Sequence, residues 1–562
     1  MRCRHISHKQ GVLYRLHLLY CSECRKSRLL DRQVAMGVQQ LKAVEIPQEG
    51  ISNTLQAVQS LERNTQAAMP LSHDLVRRKP RFWRPANRKR AVIGTCGAVL
   101  TMGLILSDRE AIPNIEVPMP SMPRFNAFET HVRAGQLAKS ISKELQQKAQ
   151  EARQKAISIK SNAVVGTNKK GGEAANVVSN DPLSDAITSP EEAKRLGRTL
   201  YTTAQKEQLL AHYTDVLGQV RLGLKQQYWN PPVRSYTALF PYLADFRSVA
   251  RGFRLESMVH EEHGEWGKAL NSRLDALQFG NQIPRGGVLI TELVGIAIQA
   301  LGYKGVTKLV SHLSATEAKS ALVRLSAIAE STFPFSSTLQ EELWAAQGGM
   351  LALFQSNKWT WRAELMRMMY SGDGGEETKG HSFVKTLPLI IFSKRQIMDS
   401  MAHYYEEEMQ RSAKPYGLHL AKTPIPSDPL NQMLLPVLES AYFQWTHTQM
   451  RLEMLRLLLA LQAYRQENSG AYPKTLSELV SKGYLKELPK DLFAPDTQFR
   501  YAQKGSKDFL LYSVGPDGID DNGKPATNPN LPERPAERVT DSYKYMLQDR
   551  SKGDIVVGVN VK

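Results

Sequence analysis

The sequence DFLLYSVGPDGIDDNG, residues 508–523, joins an apolar run to a glycine-rich acidic turn. With FRYA at residues 499–502 and the turn KGSK between them, the apolar run predicts an antiparallel β-hairpin. The following turn carries Asp517, Asp520 and Asp521 close together. Clustered carboxylates repel one another, and a hard cation such as Ca²⁺ relieves that repulsion through oxygen ligands. The stretch therefore predicts a small sheet ending in a calcium loop, with a solvated turn of turn-forming residues as the alternative.

The elements around this hairpin form a recognisable order. A long amphipathic helix is predicted at residues 434–467 and stops at Asn468, Ser469 and Gly470, before GAYP, LPKD and the hairpin. This order resembles the C-terminal part of the type II secretion major pseudopilins. The resemblance implies a calcium-binding loop after the last long strand, closed by a downstream Asp-Ile pair. Here Asp554 and Ile555 would be that pair, although a long insertion precedes them.

The other end of the chain is strongly basic and precedes an apolar run. Residues 1–90 hold 18 Lys and Arg against 6 Asp and Glu, in a chain of net charge +18. Residues 77–90 carry eight positive charges and no negative one, which would also suit nucleic acid. Residues 91–106, AVIGTCGAVLTMGLIL, are uncharged and would span about 24 Å as a helix. We predict a single transmembrane helix with a cytoplasmic N-terminus rather than nucleic-acid binding, a buried soluble helix being the alternative.

A zinc site is predicted before the membrane. The thiol and imidazole groups that could form a tetrahedral site are Cys3, His17, Cys21 and Cys24, with His5 or His8 as replacements for Cys3. The motif HLLYCSECRKSR resembles the zinc-binding anti-sigma factors, which implies a sigma factor as a partner on the cytoplasmic side. Ordinary thiols on an amphipathic helix are the alternative.

The segment after the predicted membrane helix changes composition three times. Residues 112–124 contain four prolines and predict an extended stalk. Residues 125–163 predict a solvated helix with little core of its own. Residues 166–185 predict a flexible linker. A helix start follows, with Ser189 as N-cap and Glu192 completing a capping box.

Residues 189–432 have helical periodicity. Leu289, Leu293, Ile296 and Ala300 form one apolar stripe of a helix too short, with Glu292, to be a second span. A second capping box is predicted at Ser314 and Glu317. Around residues 250–283, Gly264, Trp266 and Ala269 resemble the turn of a tetratricopeptide-type hairpin, which implies a surface that binds a protein partner.

No catalytic motif is evident in the sequence. His260 and His263 are three residues apart, whereas the metalloprotease helix needs HExxH with histidines four apart, so we expect solvated or capping roles for them. MAHYYEEEMQ, residues 401–410, predicts an exposed helix face with buried tyrosines. No G-x-S-x-G, phosphate-binding or dinucleotide-binding motif occurs. We therefore expect a protein that is not an enzyme.

Together these patterns predict a multidomain, mainly α-helical protein in five parts. In chain order they are a zinc-binding-like module and basic linker (1–76), a basic flank and transmembrane helix (77–107), a stalk, polar helix and linker (108–188), a helical hairpin or solenoid-like domain (189–432), and an α+β pseudopilin-like domain (433–562). The expected function is a bacterial inner-membrane scaffold or sensor with its C-terminal region outside the cytoplasm. The alternatives are an anti-sigma-like regulator and an assembly component of a secretion or pilus machine.

Overall fold

The fold is known from a computed structural model. The residues that it describes are 111–163, 181–196, 198–235, 238–356, 392–416, 423–435, 438–531 and 541–561. The predicted zinc ligands and the predicted membrane segment 91–106 lie outside these ranges. Within them the protein is mainly helical with one small antiparallel sheet, which confirms the predicted fold class at that level.

The first group of helices builds the N-terminal half of the helical domain. These helices are α1 (Ala127–Ala163), α2 (Pro182–Ala186), α3 (Pro190–Leu196), α4 (Thr203–Leu224), α5 (Tyr242–Glu262), α6 (Trp266–Gln282) and α7 (Leu289–Tyr303). Helices α1, α4 and α5 pack on one another, and α6 packs between α5 and α7. Their shared apolar core includes Phe246, Phe253 and Phe279.

The second group continues from this half into the C-terminal unit. Its helices are α8 (Val306–Val310), α9 (Ala315–Glu330), α10 (Phe335–Ser356), α11 (Lys394–Ser412), α12 (Pro429–Leu434), α13 (Glu439–Glu467), α14 (Ser477–Ser481) and α15 (Asp541–Lys544). The strands are β1 (Arg500–Lys504), β2 (Asp508–Ser513) and β3 (Ile555–Val556). Helix α13 packs against α7 and α9 and shares one apolar core with the sheet. The predicted helix was to begin at residue 434, but Leu434 is the last residue of the separate helix α12. Helix α13 therefore begins five residues later, at Glu439.

The capping box at Ser314 and the turn at Gly264 are confirmed, whereas the capping box predicted at Ser189 and Glu192 is present only in its Ser189 half. Ser314 and Glu317 form the reciprocal capping box at the start of α9. Ser189 accepts a hydrogen bond from the Glu192 amide (3.3 Å), while the Glu192 carboxylate pairs with Lys304. Gly264, at φ +72°, makes the turn between α5 and α6. The predicted helical hairpin around residues 250–283 is therefore present as α5 and α6.

Helices α6 and α7 approach one another through glycines. A Cβ at Gly280 would lie 2.7 Å from the Gly295 carbonyl oxygen, and one at Gly295 would lie 2.6 Å from the Gly280 oxygen. Helix α7 is buried on most of its surface. Within the predicted apolar stripe, Leu289, Leu293 and Ala300 are only partly buried and Ile296 is buried. Val294 and Ile298, which lie outside that stripe, are almost fully buried.

Three predictions about residues 112–185 hold only in part. Residues 112–124 are extended but do not form a free stalk: Ile112 and Ile115 pack on the apolar core, and the Pro118 carbonyl accepts hydrogen bonds from Arg234 (2.7 and 2.9 Å). The predicted solvated helix, α1, is buried along its first turns, where His131 is fully enclosed. Of the predicted linker, residues 166–180 lie outside the described ranges, and its last residues belong to α2, whose Leu183 is buried. Partners distant in sequence supply the burial in each case.

Candidate calcium loop of the C-terminal unit

The C-terminal unit begins where α13 stops. Ser469 (φ 54°) and Gly470 (φ 82°) take left-handed conformations that a continuing helix cannot use. The chain then turns back, and the Tyr472 amide donates to the Ser506 carbonyl (3.0 Å) in the turn of the β-hairpin. The hairpin is thereby attached to the end of the long helix.

The predicted hairpin is present, with one additional strand. In the antiparallel register of β1 and β2, Arg500 lies opposite Tyr512 and Lys504 opposite Asp508. Strand β3 pairs with the other edge of β2 and places Ile555 opposite Ser513. Strand β3 has only two residues, which is too short for a pattern of alternating apolar and polar residues. The sequence therefore did not predict it. Its pairing brings the adjacent Asp554 under the acidic loop despite the insertion.

A glycine allows this close approach. Gly515 has a φ of +75°, and a Cβ there would lie 2.2 Å from the carbonyl oxygen of Gly553. A side chain at position 515 would therefore force apart the loop and the segment that carries Asp554.

The Asp554 carboxylate is fully buried and closes the loop. Its Oδ2 accepts a hydrogen bond from the Gly523 amide (2.6 Å), and Oδ1 accepts one from the Asp521 amide (3.3 Å). Burial raises the pKa of Asp554 above its ordinary value; the two amides oppose that rise, and the charges of Asp520 and Asp521 add to it. The predicted residues Asp520, Asp521 and Asp554 are thus close enough for their charges to interact.

Two of the other three aspartates, Asp520 and Asp517, already have protein partners. Asp520 accepts hydrogen bonds from the Tyr512 hydroxyl (3.0 Å) and from Nε of Arg500 (3.0 Å). Burial acts to raise the pKa of Asp520, but its hydrogen bonds and the Arg500 charge outweigh that effect, so the pKa lies below its usual range. Asp517 accepts a long hydrogen bond from the Gly553 amide (3.4 Å). Sequence reasoning missed Arg500, although it lies in the predicted first strand, residues 499–502.

The fit of this loop to calcium is partial. Four carboxylates in one region are the kind of ligand that Ca²⁺ prefers. Yet across the described ranges no three His, Cys, Asp or Glu side chains converge as a group that could hold a metal ion. The loop is closed here by hydrogen bonds from amides, Tyr512 and Arg500.

Asp491 anchors the base of the same loop and was missed in the sequence. Its fully buried carboxylate accepts hydrogen bonds from the Ser513 hydroxyl (2.8 Å) and from the amides of Phe493 (3.0 Å) and Val514 (3.3 Å). Burial raises its pKa to about 6. The sequence signal for Asp491 is its place in LPKDLF, directly before two apolar residues. A buried polar side chain in such a place is usually hydrogen-bonded.

The histidines of the helical hairpin do not converge on one ligand. Nδ1 of His260 lies 2.6 Å from a Glu265 oxygen, and Nε2 of His263 lies 2.6 Å from a Glu207 oxygen. The expected capping and solvated roles agree with these separate partners. In the predicted exposed segment 401–410, Tyr404 and Tyr405 are buried as expected.

Comparison with known proteins adds no relative. No family model, no curated protein and no solved structure matches the chain. In the part of the chain that the structure describes, no helix is long and apolar enough to span a membrane.

Proposed function

We propose that the chain is a single-pass protein of a bacterial inner membrane that binds protein partners and catalyses no reaction. Residues 1–76 would form a zinc module in the cytoplasm, with Cys3, His17, Cys21 and Cys24 as ligands. Residues 91–106 would cross the membrane. The helical domain and the C-terminal unit would then lie outside the cytoplasm, where calcium is plentiful enough for a weak site.

The observation that supports this proposal is the position of Asp554 beside the acidic loop: its carboxylate accepts hydrogen bonds from the Asp521 and Gly523 amides and lies within range of the Asp520 and Asp521 charges. A buried carboxylate among like charges is costly unless hydrogen bonds or a cation compensate it. Calcium bound to Asp517, Asp520, Asp521 and Asp554 would supply that compensation and hold the loop closed.

The position of the loop suggests how calcium would affect partner binding. Ile519, at the tip of the loop, is 60% exposed and offers a partner an apolar contact beside the carboxylates. Helix α13 connects the unit to the helical domain, where the Gln462 amide donates to the Leu313 carbonyl (2.8 Å) and Lys319 pairs with Glu467 (2.6 Å). A partner that contacts Ile519 would therefore bind a unit that these contacts join to the helical domain.

Membrane topology provides the first test. A reporter that is active only outside the cytoplasm, fused after Lys562, should be active in cells that make the full-length chain. The same reporter fused after Arg90 should be inactive. Activity of both fusions, or of neither, would contradict the proposed orientation.

Partner capture provides the second test. The full-length chain would be cross-linked in cells, purified with calcium or with a chelator, and its partners identified by mass spectrometry. We expect one set of proteins that depends on calcium and is lost in Asp554→Asn but not in Asp399→Asn, which changes an exposed carboxylate on α11. Secretion or pilus proteins in that set would favour the assembly role. A sigma factor bound to residues 1–90 would favour the regulator, and recovery of no protein would contradict a scaffold.

A further inference from the structure

Helix α5 carries a row of buried arginines. Arg247, Arg251 and Arg254 lie four and three residues apart, which places them on one face of the helix, and all three are buried. Helix α2 packs against α5, and α4 packs against it as well. Arginine is seldom buried unless an anionic or hydrogen-bonding partner compensates its charge.

Arg251 has such partners. It donates to the Asp181 carboxylate and to the Ser184 hydroxyl (2.7 Å). Asp181 also accepts from the Leu183 amide (3.2 Å), so that one carboxylate both caps α2 and pairs with α5. Nε of Arg251 nevertheless has no hydrogen-bond partner among the described residues.

Arg247 is less satisfied. Only 2% of it is exposed, and neither Nε nor Nη1 has a hydrogen-bond partner in the described part of the chain. Burial and the nearby Arg251 charge lower its pKa to about 10, with Asp245 opposing, so the guanidinium stays charged at neutral pH. On α4, the Tyr213 hydroxyl is also buried without a hydrogen-bond partner, within range of the charges of Asp181 and Arg251.

The acidic side chains nearby are paired with other cations. Asp185 lies 3.2 Å from Arg198, and Asp245 lies 3.7 Å from Lys139 on α1. Asp181 is paired with Arg251. Arg247 therefore keeps only the partial charge compensation of Asp245 and has two nitrogens without a hydrogen bond among the described residues, and a buried charge so weakly compensated is unfavourable.

We propose that Arg247, Arg251 and Tyr213 form a binding site for a small oxyanion of the size of phosphate. The oxyanion would accept hydrogen bonds from the unpartnered nitrogens of Arg247, from Nε of Arg251 and from the Tyr213 hydroxyl. Arg247 is only 2% exposed, so a ligand that contacts it has to be small. Asp181 and Asp245 also border the site, and their repulsion would favour an anion small enough to contact the guanidinium groups alone.

The test is calorimetric titration of the purified full-length chain with inorganic phosphate, at an ionic strength held constant with sodium chloride. Wild type should bind phosphate at one site. Arg247→Met should weaken that binding at least about tenfold, because it removes charge-assisted hydrogen bonds. Tyr213→Phe should weaken it by a smaller factor, and Arg247→Lys should retain part of it.

The matched control is Arg324→Met, which removes a guanidinium that pairs with Asp275. It should leave phosphate binding unchanged. If Arg247→Met does not fold, as judged by circular dichroism, Tyr213→Phe decides the result. The absence of phosphate binding to wild type would overturn the proposal, as would equal affinity in wild type and in the folded variants of Arg247 and Tyr213.

Discussion

Glu292 on α7 makes a sharp prediction about stability and pH. The side chain is almost fully buried, and its carboxyl accepts a hydrogen bond from the Thr338 hydroxyl (2.9 Å). Burial raises the pKa of Glu292 from 4.5 to about 8, while that hydrogen bond opposes the rise. The native protein therefore holds a proton on Glu292 at neutral pH that the unfolded chain releases.

The sign follows from proton linkage. Because the folded pKa is raised, this group stabilises the native state most below pH 4.5, and that contribution is lost as the pH rises towards about 8. At pH 7 the free energy of unfolding is lower by about 3 kcal/mol than it would be with a side chain at position 292 that does not titrate. The side-chain amide introduced by Glu292→Gln would keep an oxygen for Thr338 without the ionisation. This substitution should therefore raise the free energy of unfolding at pH 7 by about 3 kcal/mol and leave it nearly unchanged at pH 4.

Urea unfolding followed by far-ultraviolet circular dichroism, between pH 4 and pH 9, would measure this difference. Glu330→Gln changes an exposed glutamate at the end of α9 and serves as the control, with no pH-dependent difference from wild type expected. A Glu292→Gln protein that is less stable than wild type at pH 7, or a difference that stays constant across the pH range, would refute the reasoning.

Two further predictions concern helix packing and the zinc module. Gly295→Ala should destabilise the protein by about 1–3 kcal/mol in the same unfolding assay, because its Cβ would lie 2.6 Å from the Gly280 carbonyl oxygen. Gly218→Ala, where no atom lies within 4 Å, should be neutral or stabilising by up to about 1 kcal/mol, and equal effects at the two positions would contradict the packing argument. The full-length chain should contain about one zinc ion per molecule, and Cys21→Ser should lose it in a metal analysis. Equal zinc content in wild type and variant would remove Cys21 from the site.

Local chemistry explains what the sequence could predict of the fold. The capping box at Ser314 needs only residues 314–317, and the turn at Gly264 needs a left-handed conformation that glycine adopts readily. The β-hairpin followed from alternating residues around a short turn. The packing of Ile112 and Ile115 and the burial of the first turns of α1 could not be read in this way. His131 is enclosed by aromatic rings from α5 and α6, and Pro118 is bound by Arg234, contacts that no local pattern encodes.

In the acidic loop and in the arginine row of α5, too, the sequence shows the residue types but not the long-range contacts that they make. The acidic residues of the loop were evident as a cluster, and the placement of Asp554 beside them came from a family resemblance rather than from periodicity. The engagement of Asp520 by Arg500 depends on the register of β1 against β2, which the sequence leaves open. The spacing of Arg247, Arg251 and Arg254 was visible, but a row of arginines on a helix is usually solvated. Its burial depends on α2, a helix of five residues in a segment whose composition predicts a linker.

Amide hydrogen exchange of the full-length chain, with calcium or with a chelator, tests the proposed calcium loop most directly. At a calcium concentration about 100-fold above the dissociation constant, binding should stabilise the closed loop by about 2.7 kcal/mol, so the Asp521 and Gly523 amides should exchange about a hundredfold more slowly. Asp554→Asn should abolish that protection, and Asp399→Asn should retain it. Equal exchange of residues 508–523 with and without calcium would contradict the account.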